Sequence, residues 1–139
     1  MGITYSEMRI TEYEELYALW RSIPEVRLSK ADEKERIGAY LSRNPGQSFV
    51  CKADGRVVAT VLCGNDGRRA FIYHLAVSPA YRRRGIATEL VRLAINKQKL
   101  LGMDKCAVFI LNENDTGKSF WSRVGFTAVQ EAETMAKSI

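Results

Sequence analysis

Seven consecutive residues, Tyr81-Arg82-Arg83-Arg84-Gly85-Ile86-Ala87, set three guanidinium groups and a glycine directly ahead of an amphipathic stretch. A strand-like apolar run, Phe71 to Val77, leads into them through the turn Ser78-Pro79-Ala80. A strand, a tight turn and a helix start in that order present free backbone N–H groups, the positive end of a helix dipole and fixed positive charge at one point. The chemistry this offers is capture of a pyrophosphate. N–H groups of residues 83 to 88 (Arg83, Arg84, Gly85, Ile86, Ala87, Thr88) would face the anion, and Gly85 would let the main chain come close. One or two of Arg82, Arg83 and Arg84 would reach the phosphates while the rest face water. By itself a Tyr-Arg-Arg-Arg cluster reads as a solvated basic patch or a nucleic-acid footprint; its place at a helix start favours the anion cradle.

The elements that must hold this loop can be read on either side of it. Ile3 to Ile10 reads as an opening strand, and Thr11 starts a helix with Glu14 completing a capping box. Leu16, Leu19 and Trp20 give that helix its apolar stripe, and Pro24 ends it. A loop from Ile23 to Leu28 leads to a second helix, from Lys30 or Ala31 to about Arg43, stopped by Asn44-Pro45-Gly46. Ser48 to Lys52 and Arg56 to Cys63 are strands joined at Asp54-Gly55, the strongest local hairpin signal in the chain. Asn65-Asp66-Gly67 turns the chain into the Phe71 to Val77 strand. Gly85 to Leu101 is a long amphipathic helix with Gly102 as its cap. Lys105 to Leu111 is an apolar strand, Asp115 to Val124 a short helix ended by Gly125, and Phe126 to Val129 with Thr134 to Ser138 a closing hairpin. The order β-α-α-β-β-β-α-β-α-β-β predicts an α+β protein with a mixed, mostly antiparallel central sheet flanked by helices.

Bulk properties bound the rest. With 139 residues the chain makes one domain with a sizeable core. Its apolar runs are far too short to span a bilayer, so no membrane partner is expected, and Glu7 and Arg9 interrupt any signal-like segment. Met1-Gly2-Ile3-Thr4-Tyr5-Ser6 formally fits a myristoylation pattern, but a strand starting at Ile3 leaves no free arm for it. Cys51, Cys63 and Cys106 are odd in number, each in a strand-like run, and the chain has one histidine. Neither a metal site nor a disulfide framework is expected, and the setting predicted is reducing and cytoplasmic. The net charge of +5 suits an anionic ligand. No helix-turn-helix or aromatic-rich RNA motif accompanies the arginines, so no nucleic-acid partner is expected.

Arg82-x-x-Gly85-x-Ala87 resembles the acetyl-CoA pyrophosphate loop of the GNAT N-acetyltransferases, Arg/Gln-x-x-Gly-x-Gly/Ala. It comes with Leu75-Ala76-Val77-x-Pro79 before it and with Asn114 and Phe120-Trp121-x-x-x-Gly125-Phe126 after it, similar to the family's Asn-x-x-Ala-x-x-Phe-Tyr-x-x-x-Gly-Phe. The element order matches over nearly the whole chain, so the resemblance implies one N-acetyltransferase domain over residues 1–139 with the GNAT fold. It implies acetyl-CoA as co-substrate and no metal. The backbone of Leu75, Ala76 and Val77 would pair with the pantetheine arm like an added strand. Asn114 would bond the arm's amides, and Phe120 and Trp121 would flank the thioester. Asn114 also reads as the N-cap of the helix at Asp115, a role compatible with ligand contact. Adjacent helical residues point about 100° apart, so one of Phe120 and Trp121 packs inward and the other lines the cleft.

The family reaction is direct attack of an amine on the thioester carbonyl, with a base that takes a proton and an acid that protonates the thiolate. Here the sequence departs from the pattern. Trp121 stands where the family has tyrosine, and an indole N–H can donate a hydrogen bond but not a proton. Where family members carry a glutamate, this chain has Phe71 or Tyr73 on one strand and Phe109 on the other. The candidates left for the acid–base chemistry are Trp121, Tyr73, His74 and Glu25, or a water relay. His74 has a suitable intrinsic pKa, but strand alternation puts it on the face opposite Tyr73 and Leu75, where a lone histidine is ordinarily a packed core residue. Glu25, in the loop that borders the acceptor site in the family, would meet a cationic amine; its plainer reading is an exposed loop carboxylate. The expected function is transfer of acetyl from acetyl-CoA to a primary amine of a small molecule or peptide. The alternative is a non-catalytic acyl-CoA-binding or regulatory module. Dimers are common in the family, so the resemblance leaves a homodimer open.

Overall fold

The computed structural model describes residues 2–139. They form two compact units, residues 2–109 and residues 110–139. The first holds β1 (Ile3–Glu7), α1 (Tyr13–Ser22), α2 (Lys34–Arg43), β2 (Phe49–Ala53), β3 (Arg56–Asn65), β4 (Ala70–Val77), α3 (Ile86–Leu100) and β5 (Cys106–Val108); the second holds α4 (Asp115–Arg123).

The five strands form one sheet in chain order. β1 to β4 are antiparallel neighbours, and β5 lies parallel to β4. A parallel pair needs a long crossover, and α3 provides it. Alternation along β3 sends its side chains to two layers. Leu62 joins Leu16, Leu19 and Trp20 of α1 and Ile37 of α2 in one buried cluster. Cys63 faces α3, where Gln98 Nε2 reaches its sulfur at 3.4 Å. On that side Leu90 and Ala94 are fully buried. The polar groups enclosed there satisfy one another: Gln98 donates to Gln47 at 2.7 Å, and Asn65 donates to both Gln47 and Gln98 at 3.1 Å.

Three expectations need correction. The capping box lies earlier than Thr11 and Glu14: the Glu12 carboxylate accepts from the Arg9 N–H at 3.1 Å, and a 3-10 turn over Ile10–Glu12 precedes α1. β5 covers Cys106–Val108 rather than the whole run to Leu111, because β4 offers it only Ala70 to Ile72 as partners. The closing hairpin is absent: residues 126–139 hold no strand, so the observed order stops at β-α-α-β-β-β-α-β-α. That segment holds three Ala and two Glu, and its apolar Val129 and Met135 are 66% and 91% exposed. It carries neither the propensity nor the regular apolar face that fixes a strand pair.

Candidate active site

The end of β4 and the start of α3 build the arginine loop. Ser78 donates its N–H to Val58 O at 2.8 Å, and Pro79–Tyr81 form a single 3-10 turn. Arg82 folds back, its Nε donating to Val77 O at 3.1 Å, which fixes the exit of the strand. Arg84 lies over the Tyr81 ring at 5.2 Å. None of the three arginines is in an ion pair with a carboxylate of the described residues. Arg83 (φ +64°) and Gly85 (φ +78°) are both left-handed. Left-handed residues in such a turn make successive N–H groups converge on one concave side. The first bond of α3 is Glu89 N–H to Gly85 O at 3.1 Å, so Ile86, Ala87 and Thr88 keep their N–H groups open. A β-carbon on Gly85 would have no protein atom within 4 Å, so the space beside its backbone is clear. A run of open N–H groups, a helix dipole and unneutralised guanidinium groups fit a pyrophosphate.

β4 supplies the next part. Leu62 faces Tyr73 and Thr60 faces Ala76, so His74 and Leu75 together oppose Val61 alone: a β-bulge. His74 takes the left-handed conformation there, φ +47°, and the strict alternation expected through Leu75 stops at Tyr73. Pairing with β5 also ends at Ile72. From Tyr73 to Val77, including Leu75 and Ala76, the β5-side edge of β4 has no partner strand in its sheet, the geometry that strand addition requires.

The positions that carry a glutamate in the resembling family carry stacked rings here. Phe71 lies 6.3 Å from Phe109 at an interplanar angle of 4°, and Tyr73 lies 6.1 Å from Phe109 at 23°. Burial raises the Tyr73 hydroxyl above its ordinary pKa, so it keeps its proton. His74 points toward α1 and the entry to α2: its Nε2 is 2.6 Å from Asp32 Oδ1, and its ring is 4.7 Å from that of Trp20. Glu25 is exposed in the turn after α1 and has no hydrogen-bond or ion-pair partner among the described residues.

In the second unit, Asn114 caps α4, its Oδ1 accepting from Gly117 N–H at 2.9 Å. Gly117 holds the place of the family's alanine. A β-carbon there would stand 2.5 Å from Asn114 Nδ2, so the cap in this position depends on the glycine. Trp121 is buried, edge-on to Phe120 at 5.2 Å and to Phe126 at 4.9 Å. Phe120 is half-buried, with Arg123 over its ring at 5.9 Å. The chain turns back at Gly125 (φ +101°), and Phe126 N–H bonds Trp121 O at 2.9 Å.

The first unit therefore brings Tyr73 to Val77 and Arg82 to Thr88 into one continuous stretch. Asp32 is the residue that sequence reading missed. Ser29-x-x-Asp32 is a visible capping pattern, and Ser29 N–H does bond Asp32 Oδ2 at 3.0 Å. Nothing local announces its pairing with a histidine far along the chain. No cluster of three or more metal-ligating side chains occurs among the described residues. No described helix is long and apolar enough to cross a membrane.

A family model, "Acetyltransferase (GNAT) family", matches residues 13–126. "Acetyltransferase SG1711" of Sodalis glossinidius (strain morsitans) is 30% identical over 118 residues, covering 85% of this chain and 82% of that protein. Among solved structures, the PaiA N-acetyltransferase of Thermoplasma acidophilum in complex with coenzyme A superposes with a TM-score of 0.80 at 19% identity, over 96% of this chain and 94% of that one. AAC(6')-Iy in complex with the bisubstrate analog CoA-S-monomethyl-acetylneamine does so with a TM-score of 0.77 at 18% identity, over the full length of both chains. The structural likenesses attest the fold, and the sequence matches attest the lineage: the chain belongs to the acetyltransferase (GNAT) family, and acetyl-CoA-dependent N-acetyl transfer is the activity that goes with it.

Proposed function

We propose that residues 1–139 work as one domain that acetylates a primary amine of a small molecule or peptide by direct attack of the amine on the thioester of acetyl-CoA. The observation that carries this reading is the joining of two open main-chain surfaces, the N–H groups of residues 83 to 88 and the unpartnered edge of β4 from Tyr73 to Val77. The first would hold the pyrophosphate, with Arg83 and Arg84 adding charge and Arg82 fixing the loop. The second would bond the pantetheine arm through Leu75 and Val77. In that pose the arm runs back along β4 and its thioester lies at the bulge. Asn114 and Phe120, in the second unit, are candidate contacts of the pantetheine arm. Proximity and polarisation of the carbonyl by strand N–H groups supply much of the rate. A thiolate with a pKa of about 8.5 leaves acceptably without a protein acid, so Trp121 in the tyrosine position is compatible with turnover. Three free cysteines agree with a cytoplasmic setting.

The test is release of CoA thiol from acetyl-CoA with a panel of alkylamines, amino sugars and peptide N-termini. Turnover with at least one acceptor is expected. The aromatic residues in place of carboxylates at 71, 73 and 109 favour a second reading, a non-catalytic acyl-CoA-binding module. Tight acetyl-CoA binding with no turnover on any acceptor would establish that one instead.

A further inference from the structure

The proposed reaction needs a group to take the proton of the acceptor amine, and the stacked rings at Phe71, Tyr73 and Phe109 cannot do so. We infer that His74 is that base, held and oriented by Asp32. The inference rests on the acetyltransferase reading above; it selects His74 from the acid–base candidates of the sequence and adds Asp32, which the sequence did not offer, as its partner.

Five hydrogen bonds fix the histidine and the groups that hold it. Asp32 Oδ1 lies 2.6 Å from Nε2, and the second carboxylate oxygen is held by Ser29 N–H at 3.0 Å. Tyr13 OH donates to the Asp32 carbonyl at 2.6 Å, tying the entry of α2 to α1. The His74 carbonyl accepts from Thr60 Oγ1 at 2.8 Å, and Thr60 Oγ1 in turn accepts from Trp20 Nε1 at 2.8 Å. Both members are largely enclosed, with side-chain exposures of 13% for His74 and 9% for Asp32. An ionised carboxylate only accepts, so in the neutral ring Nε2 carries the hydrogen and Nδ1 the lone pair. Nδ1 has no hydrogen-bond partner in the protein, yet every fully enclosed side-chain nitrogen and oxygen among the described residues has one. Nδ1 is therefore not wholly enclosed.

Position completes the argument. The bulge places His74 one residue before the Leu75–Val77 strip and two residues after Ile72, the last residue of β4 that pairs with β5. That is where the thioester end of the arm lies in the proposed pose. A base with one nitrogen locked by a carboxylate and the other free is the arrangement used to activate nucleophiles. The step balances as follows. Nδ1 takes one proton from the acceptor ammonium and releases it to solvent. The freed lone pair attacks the carbonyl carbon, the C–N bond forms, and the C–S bond breaks with its electron pair on sulfur. A second N–H proton ends on the CoA thiol. Asp32 touches no substrate and is a positioning residue.

The experiment compares wild type, His74→Asn, His74→Gln and Asp32→Asn with the best alkylamine acceptor and with its β,β,β-trifluorinated analogue, whose amine is already neutral at the assay pH. Asparagine tolerates the left-handed backbone of residue 74. Acetyl-CoA affinity, read by isothermal titration, reports folding of each variant independently of turnover. For both His74 variants, affinity within about threefold of wild type and kcat for the alkylamine reduced about 100-fold or more are expected, the lower range for loss of a general base. Asp32→Asn should lose about tenfold or more, and the His74→Asn/Asp32→Asn double variant no more than His74→Asn alone, as for residues that act as a unit. The fluorinated acceptor should lose far less, which a merely structural role would not produce. Equal losses on both acceptors, or a His74→Asn kcat within twofold of wild type, would overturn the inference while leaving the acetyltransferase reading intact. A wild type that binds acetyl-CoA but acetylates no amine would overturn both.

Discussion

At Gly85 the main chain needs φ +78° and leaves clear space where a side chain would project. Gly85→Leu should cost about 1–2 kcal/mol in stability, the usual cost of the left-handed region for a residue with a β-carbon. It should also fill the approach to the N–H groups, so acetyl-CoA binding by titration calorimetry is expected to be lost while the protein stays folded. Retained affinity would move the pyrophosphate elsewhere. Trp121 offers a second single-residue test. It is wedged between Phe120 and Phe126 in the second unit. Trp121→Tyr should lower stability by about 1 kcal/mol, a typical value for a point change, and give kcat equal to or above wild type by restoring a group that can donate a proton. A large loss of kcat would assign the indole a part in shaping the site. At this scale the sequence was legible where a residue acts through its neighbours in the chain, as Gly85 does. Asp32 and His74 meet only through the fold, and a bulge that turns one histidine cannot be read from alternation.

Two elements carry side-chain bonds that can be removed singly. The bulge in β4 is pinned from β3 by Thr60, whose hydroxyl bridges Trp20 and the His74 carbonyl in a fully buried position. Thr60→Val removes both bonds at nearly constant volume and strands a donor and an acceptor. It should cost about 2–6 kcal/mol in urea unfolding, since each of the two unsatisfied buried groups costs about 1–3 kcal/mol. A cost below 1 kcal/mol would mean that the bulge is held by other means. The start of α4 behaves differently. Gly117→Ala gains about 0.5–1 kcal/mol of helix preference but displaces the Asn114 amide and its cap, a loss of about 1 kcal/mol. Stability should change little. If Asn114 bonds the pantetheine arm, the KM for acetyl-CoA should shift severalfold, and an unchanged KM would leave Asn114 as a cap only. Strands β2 to β4 and the helices were legible because turn residues and apolar periods mark their ends. The closing hairpin was misread because residues 126–139 have strand-length segments without the apolar face that a strand must bury.

Across the whole molecule, burial raises every thiol. Cys63 is pushed up to about 12 and Cys106 to about 11, from an ordinary value of 9.0, and Cys51 is raised as well. Below pH 9 these groups are protonated in both folded and unfolded chains, and their contribution to stability is fully present. Between pH 9 and about 12 the unfolded chain releases protons that the native one retains, so stability falls as pH rises. Urea midpoints should be flat from pH 7 to about 8.5 and then decline, with a slope from Cys63 alone approaching about 1.4 kcal/mol per pH unit. A flat profile to pH 11 would show that the thiols ionise in place. The unpartnered edge of β4 beyond Ile72 has a further meaning at this scale. A strand edge without a partner strand can pair with another chain, and in the proposed pose the co-substrate is what pairs with it. Acetyl-CoA then acts on this chain as a pharmacological chaperone as well as a reagent. At about a hundred times its Kd it would add about 2.7 kcal/mol to folding, and the amount of soluble enzyme would track the acyl-CoA supply that the enzyme consumes.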